Sequence, residues 1–253
     1  MATKTLAVIL GAGPGTGASI ARALAAEGSS VALLARSVQS LDQVADAVKQ
    51  AGGDAVSFAC DATSQDSIDS AFQQIREQWP NHQLTRAFFN ATNPFIVKPF
   101  LDLNKRDLDP GLDLNVYGAF YFSQKVIPQL VQASSSTSQE VGGGGGGGFL
   151  CFSGATGALK GSSGFAAFAP AKFALRGMAQ SLAREFGPKG VHVSHVIIDG
   201  LIDTERVKGM MGDGEPGTRI DPDSIAQTMI HLSNQPKDCW THELDLRPAQ
   251  EKW

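Results

Sequence analysis

The first residues whose types and spacing suggest chemistry are Gly11-Ala12-Gly13-Pro14-Gly15-Thr16-Gly17. Glycine at positions 11, 13, 15 and 17 permits a tight turn and lets backbone N–H groups approach an anion closely, because no Cβ intervenes. A helix following such a loop adds roughly half an elementary positive charge at its N-terminus. The combination suits the pyrophosphate of a dinucleotide. It does not suit a P-loop, because the chain continues Gly17-Ala18-Ser19 where Gly-Lys-Ser/Thr is required. The next apolar run ends Leu33-Leu34-Ala35-Arg36-Ser37, with no carboxylate to bond a ribose 2′-hydroxyl. Arg36 instead offers a guanidinium to a 2′-phosphate. The expected cofactor is NADP (NADPH), held by Gly11, Gly13, Gly15, Thr16, Gly17 and Arg36.

Other chemistries find little footing. His192 and His195 are three apart on an expected strand, so they point to opposite faces and cannot clamp a metal. There is no Cys/His cluster and no Gly-x-Ser-x-Gly elbow. Cys60, Cys151 and Cys239 are odd in number and widely spaced, which implies no disulfide framework. Lysine plus arginine number 21 against 25 acidic residues, a net charge of −4. Without a basic stripe, no nucleic-acid partner is expected. Apolar runs such as Leu6–Leu10 and Val31–Ala35 are strand-sized, far short of the ~20 residues that span a bilayer. Met1-Ala2-Thr3-Lys4 leads straight into a strand with no signal-peptide apolar region. A cytoplasmic protein without a membrane partner is expected.

Positioning the glycine loop requires a strand before it and a helix after it, and the chain supplies both repeatedly. Strands are predicted at Thr5–Leu10, Ser30–Ala35, Asp54–Ala59, Leu84–Phe89, Phe149–Ser153 and Val191–Ile197, with a weaker one at His242–Leu246. Segments of helical spacing separate them, which is the pattern of βαβ units and a parallel sheet. The fold expected is α/β, a doubly wound parallel sheet of about seven strands with helices on both faces. At 253 residues and 42% hydrophobic composition the chain can bury one large core, and residues 1–253 are read as a single domain. Ser40 with Gln43 predicts a capping box, Asp221-Pro222 an N-cap and first turn, and Gly28 the close of a helix over Ala18–Glu27. Ser134–Gly148, a serine run ending in seven glycines, is predicted to be a flexible loop at the N-terminal end of a strand. That is the side away from ligands in an open α/β sheet.

The spacing Gly11-x-x-x-Gly15-x-Gly17, and the order of the segments after it, resemble the short-chain dehydrogenase/reductase family over essentially the whole chain. The resemblance implies a single Rossmann domain and assigns further residues. Cys60-Asp61-Ala62-Thr63 is similar to the family's adenine-contacting segment, which implicates Asp61 and Ala62; a helix-entry role for Asp61 is the alternative. Asn90 and Ala91 match the segment beside the cofactor. Asn115, in Leu114-Asn115-Val116-Tyr117-Gly118, falls where the family keeps an Asn that holds a relay water. Gly200, Ile202 and Thr204 resemble the turn that grips the nicotinamide amide, with Asp199 replacing the usual proline.

The family's chemistry rests on a Ser and a Tyr-x-x-x-Lys, in which Tyr is the acid or base and Lys bonds the nicotinamide ribose. Here the sequence is Phe165-Ala166-Ala167-Phe168-Ala169-Pro170-Ala171-Lys172. Lys172 is retained, but Phe168 occupies the tyrosine position and has no proton to give. The Tyr-x6-Lys variant fails too, because Phe165 stands seven before Lys172. The chain's two tyrosines, Tyr117 and Tyr121, lie in the Asn115 helix, and Tyr117 is on another face from Asn115. Ser153 lies near the usual serine, which more often falls at the next position, Gly154; one residue in a strand reverses the face. Phe165, Phe168, Leu175, Leu182 and Phe186 are near helical spacing, so a purely core role competes for Phe165 and less for Phe168.

A missing general acid costs about 10²–10⁴ in rate where an alkoxide must be protonated as it forms. An activated alkene depends on it less, because charge delocalises onto a carbonyl oxygen, and a water held by Ser153 or Asn115 can protonate the product. The function expected is hydride transfer from NADPH to a carbonyl-conjugated or otherwise activated small molecule. The competing readings are a cofactor-binding protein without redox turnover and a non-redox cyclase or isomerase using the same pocket. Asp203–Arg219 falls where the family has a substrate lid, a plain surface loop being the alternative. Phe95, Ile96, Val97, Met210 and Met211 would give a largely apolar pocket. The family resemblance also implies a homodimer or homotetramer built on the helices around Asn115 and Lys172.

Overall fold

The computed structural model describes residues 4–93, 95–136 and 147–251. Seven strands form one parallel sheet: β1 (Lys4–Leu10), β2 (Ser30–Ala35), β3 (Asp54–Ala59), β4 (His82–Phe89), β5 (Gly148–Ala155), β6 (Val191–Ile198) and β7 (Glu243–Leu246). Their order is β3-β2-β1-β4-β5-β6-β7, so the winding reverses between β1 and β4. Ligands in such sheets bind outside the carboxyl ends of the strands at that reversal.

The alternation of β1 shows why both sheet faces must be covered. Leu6, Val8 and Leu10 enter one core, and Ala7 and Ile9 enter the other. The first core is closed by α3 (Gln65–Gln78), α5 (Ala119–Ser136) and α6 (Ala169–Phe186) through Phe72, Phe122 and Leu175, among others. The second is closed by α1 (Thr16–Ala26), α2 (Val38–Gln50) and α8 (Pro222–Ser233) through Leu24, Val44 and Met229. Two short helices complete the fold: α4 (Lys105–Leu112), joined to α5 by a π-helical turn over Asp113–Gly118, and α7 (Glu205–Met211). Among the described residues no helix is long and apolar enough to cross a membrane.

The predicted strands all form: β2 and β3 have the predicted ends, and the others differ by one or two residues. Asp221 caps α8 as expected, its carboxylate accepting from the Asp223 and Ser224 amides. Gly28, at φ 85°, follows α1. Four local expectations need correction. There is no Ser40–Gln43 capping box: α2 starts at Val38, and Ser40, inside its first turn, donates its hydroxyl to the Ser37 carbonyl. The helix carrying Lys172 begins only at Ala169, so Phe165 and Phe168 precede it in a turn closed by the Phe168 amide on the Phe165 carbonyl. α1 starts at Thr16, two residues before its predicted start. Of the predicted Ser134–Gly148 loop, Ser134–Ser136 finish α5 and Gly148 opens β5, tied by the Ser134 hydroxyl, which accepts from the Gly148 amide; positions 137–146 lie outside the described residues.

His192 and His195 take opposite sheet faces, as expected. His192 stacks on Trp240 with ring centroids 4.9 Å apart, whereas His195 faces α6. Burial pushes both imidazoles below the ordinary 6.5. The unfolded chain therefore takes up protons that the folded chain refuses, and stability falls as pH drops through about 6.5. Thermal melts at neutral and mildly acidic pH should show a lower Tm on the acidic side; a flat or rising Tm would contradict the assignment of both rings as neutral.

Candidate active site

The glycine loop leaves β1 at the winding reversal and is shaped by backbone approach. The Gly11 amide donates to the Leu34 carbonyl at 2.8 Å. A Cβ on Gly11 would lie 2.5 Å from the Ala91 amide nitrogen, and one on Gly17 would lie 2.5 Å from the Gly11 carbonyl oxygen. Beside Gly13 there is open space. Gly15 is the N-cap of α1 and offers no side-chain cap, and the buried Thr16 hydroxyl next to it has no protein partner. A helix start with uncapped amides and an orphaned hydroxyl fits an anionic group such as a pyrophosphate.

The other predicted cofactor residues gather around this loop. Asn90, just after β4, donates through Nδ2 to the Gly11 carbonyl at 3.0 Å and accepts the Ser153 hydroxyl on Oδ1 at 2.7 Å. A Cβ on Gly15 would stand 3.0 Å from the Thr204 methyl group, so the segment after β6 lies against the loop. Thr204 caps α7 with its hydroxyl, Ile202 bridges to Ile220, and Gly200, at φ 153°, packs against Pro248. Arg36 is exposed at the end of β2. Asp61, at the end of the neighbouring β3, accepts from the Thr63 amide and hydroxyl at 2.9 and 2.8 Å. The Thr63 amide holds the Asp61 carboxyl below the usual range against the opposing effect of burial, and the Thr63 hydroxyl and the Arg36 charge add to it. The Ala62 carbonyl lies where a Cβ on Gly118 would be, 2.5 Å away, which seats the start of α5 on this end of the sheet.

Asn115 lies in the π-helical turn, fully buried, and donates through Nδ2 to Asn93 Oδ1 at 2.8 Å and to the Gly111 carbonyl at 3.0 Å. Its Oδ1 is buried without a protein partner. Asn93 was not found from the sequence, because nothing in the spacing of Asn90-Ala91-Thr92-Asn93 marks it as the contact of a residue 22 positions on.

Lys172 is buried, and its ammonium donates at 3.4 Å to the Ser153 carbonyl. Burial lowers its pKa to about 8. Its Nζ lies 6.0 Å from the ring centroid of Phe168, the N-cap residue of α6. Phe168 is buried, and its ring meets Phe95 edge-on at 5.2 Å. Phe95 meets Phe165 in the same way. Gly157 makes room for the Phe168 ring, because a Cβ there would come within 2.9 Å of it. Tyr117 is exposed and Tyr121 packs against the core.

The end of β5 turns Ser153 and Gly154 to opposite faces. The Ser153 side chain is committed to Asn90. Gly154 faces the other way, and a Cβ there would stand 2.4 Å from His195 Nε2, so the space of a side chain at that position is filled by an imidazole. At the position of the usual proline, the Asp199 carboxylate accepts from the Thr156 hydroxyl and, at 2.6 Å, from Arg247. Thr156 and Arg247 are further contacts that no local sequence signal announces. Asp203–Arg219 contains α7 and is tied by an Arg219–Asp203 ion pair at 3.2 Å, with Met210 and Met211 exposed. Among the described residues, no group of three His, Cys, Asp or Glu could hold a metal.

Comparison with known proteins identifies the family. Residues 5–213 match the family model described as short chain dehydrogenase. An uncharacterised oxidoreductase of Staphylococcus epidermidis is 24% identical over 252 residues, covering 97% of this chain and 98% of that protein. A short-chain dehydrogenase from Rhodopseudomonas palustris is similar in structure, with a TM-score of 0.77 and 30% identity over 96% of this chain and 98% of that one. An alcohol dehydrogenase from the archaeon Thermococcus sibiricus, complexed with 5-hydroxy-NADP, superposes with a TM-score of 0.83 at 23% identity and 98% coverage of both chains. The chain belongs to the short-chain dehydrogenase/reductase family of oxidoreductases.

Proposed function

We propose that this protein is an NADP-dependent oxidoreductase that reduces an activated, carbonyl-conjugated and largely apolar small molecule. The observation that carries the reading is a retained Lys172, buried below a phenylalanine, with no phenol beside it. Gly11, Gly13, Gly15, Thr16 and Gly17 would hold the pyrophosphate; Asp61 and Ala62 the adenine; Asn90, Ala91, Gly200, Ile202 and Thr204 the nicotinamide end. Bound there, the cofactor supplies the hydride. Lys172 fixes the ribose, Asn115 offers its unpartnered Oδ1 to an ordered water, and Ser153 keeps Asn90 against the loop. Phe95, packed edge-on against Phe165 and the buried Phe168, gives an apolar surface that favours an apolar acceptor. One NADP-binding domain over residues 1–253, a homodimer or homotetramer built on α5 and α6, and a cytoplasmic location complete the proposal.

Arg36 supports NADP over NAD, because it stands at the end of β2 where no carboxylate is present. Arg36→Ala is expected to weaken NADPH binding by about tenfold or more while leaving NADH unchanged, as loss of a charge-assisted bond to a 2′-phosphate would. Fluorescence titration of both cofactors checks this; equal NADPH and NADH affinities in the unaltered protein would remove the cofactor assignment.

A further inference from the structure

The chain beyond β7 is bonded to two parts of the site. The Leu246 carbonyl accepts from the Asp199 amide at 2.8 Å, and Arg247 Nη2 donates to the buried Asp199 carboxylate at 2.6 Å. That carboxylate also accepts from the Thr156 hydroxyl, so it joins the segments that follow β5, β6 and β7. Pro248 is buried, and a Cβ on Gly200 would lie 2.6 Å from its Cδ. Two residues on, the Gln250 amide donates to the Gly217 carbonyl at 2.9 Å, and its Nε2 donates to the Pro216 carbonyl at 2.8 Å. Residues 247–250 thus hold the turn after β6 at one end and the far part of Asp203–Arg219 at the other.

These bonds divide Asp203–Arg219 into two parts. Its base is closed by the Ile220 amide on the Leu201 carbonyl and the Asp203 amide on the Ile220 carbonyl, each at 2.8 Å, and by the Arg219–Asp203 ion pair. Gly214 lies against Arg219, where a Cβ would be 2.7 Å from Nε, and Gln250 holds positions 216 and 217. Positions 214–219 therefore form a frame fixed to the body of the protein. Between the Thr204 cap and that frame stands α7, with Met210 and Met211 exposed. A Cβ on Gly209 or Gly212 would meet nothing within 4 Å. Gly212 ends α7 at φ 72°, a conformation that glycine adopts without strain.

We infer that Arg247 and Gln250 are positioning residues, which make residues 247–250 a strap between the cofactor turn Asp199–Thr204 and the frame 214–219. The strap fixes turn and frame in one relation and leaves α7 as the part that moves. Asp199 is what allows it to form: a proline at that position has neither the N–H that bonds Leu246 nor a charge to pair with Arg247. The hold reaches the glycine loop, because the Thr204 methyl group stands 3.0 Å from the place of a Cβ on Gly15. A turn that drifts would carry this wall of the cofactor site with it. The inference rests, for its effect on NADPH, on the reading that this turn meets the nicotinamide end.

Limited trypsin digestion of the full chain tests the strap without cofactor or turnover. Arg206 and Lys208 lie on α7, whereas Arg219 lies in the frame with 9% of its side chain exposed. In the unaltered protein, cleavage after Arg206 or Lys208 should precede cleavage after Arg219. Gln250→Pro, at an exposed position, removes both bonds to the frame. It should raise cleavage after Arg219 about tenfold or more relative to cleavage after Lys49 in α2. An unchanged ratio, whether both rates stay or rise together, would overturn the inference. Arg247→Met should weaken NADPH binding about tenfold, and Arg247→Lys should restore most of it by keeping a cation on Asp199. A merely structural arginine predicts a lower Tm with NADPH affinity unmoved. If the Arg219 ratio rises in Gln250→Pro while NADPH affinity holds in Arg247→Met, the strap stands and the placement of the nicotinamide at this turn falls. Should Arg247→Met fail to fold, the Gln250→Pro digestion decides the inference alone.

Discussion

Phe168→Tyr should raise the reduction of isolated ketones by about 10²–10⁴-fold, the range of a positioned general acid, and change enone reduction little. The added hydroxyl would extend from a ring whose centroid is already 6.0 Å from Lys172 Nζ. A cation at that range favours the phenolate and brings the phenol toward working pH. A ketone accumulates negative charge on one oxygen as hydride arrives, so it gains most from a proton held in place. A conjugated acceptor spreads that charge and gains least. Lys172→Met, in contrast, should damage both reactions, because the ribose loses its anchor. Following NADPH consumption with matched panels of enones and ketones measures all three proteins. Faster ketone than enone reduction by the unaltered protein would refute the chemical assignment.

The second large effect is expected at the other end of the site. Gly11 has φ 94°, and a Cβ there would meet three backbone atoms of Asn90 and Ala91 within 2.7 Å. Neither strain nor clash can be relieved by rotating a side chain. Gly11→Ala should therefore cost about 2–6 kcal/mol of stability and abolish NADPH binding, because β1 and β4 must separate where the loop begins. Gly13→Ala is the informative partner. Its Cβ meets nothing within 4 Å, so stability should hold while a bound pyrophosphate loses its close approach. Urea denaturation and NADPH titration of the two variants separate fold from binding; normal cofactor affinity in Gly11→Ala would show that the loop has been misassigned.

What could be read from the sequence was local in character. Strand alternation in Leu6–Leu10, the glycines of the first turn, the Asp221 cap and the Lys172/Phe168 pair each depend on residues within a few positions of one another. Local signals still failed where two starting points competed. Ser40 could cap a helix, but the chain turned helical at Val38, leaving its hydroxyl to bond the preceding turn. Phe165 matched the helical period of α6, yet Pro170 sits at the helix start and the phenylalanines fall in the turn before it.

The remainder of the site was settled only by tertiary structure. Ser153 bonds Asn90 from 63 positions away, Asp199 bonds Arg247 from 48, and Asn115 bonds Asn93 from 22. Ser153 and Gly154 look equally available in the sequence, but the pleat of β5 turns one toward Asn90 and the other toward His195. The chain's own pattern determined a doubly wound sheet, a glycine loop at its reversal and a lysine without its tyrosine. Which side chains meet there depended on strand register and crossovers, because a buried polar group must find its partner wherever the sheet brings one within bonding distance.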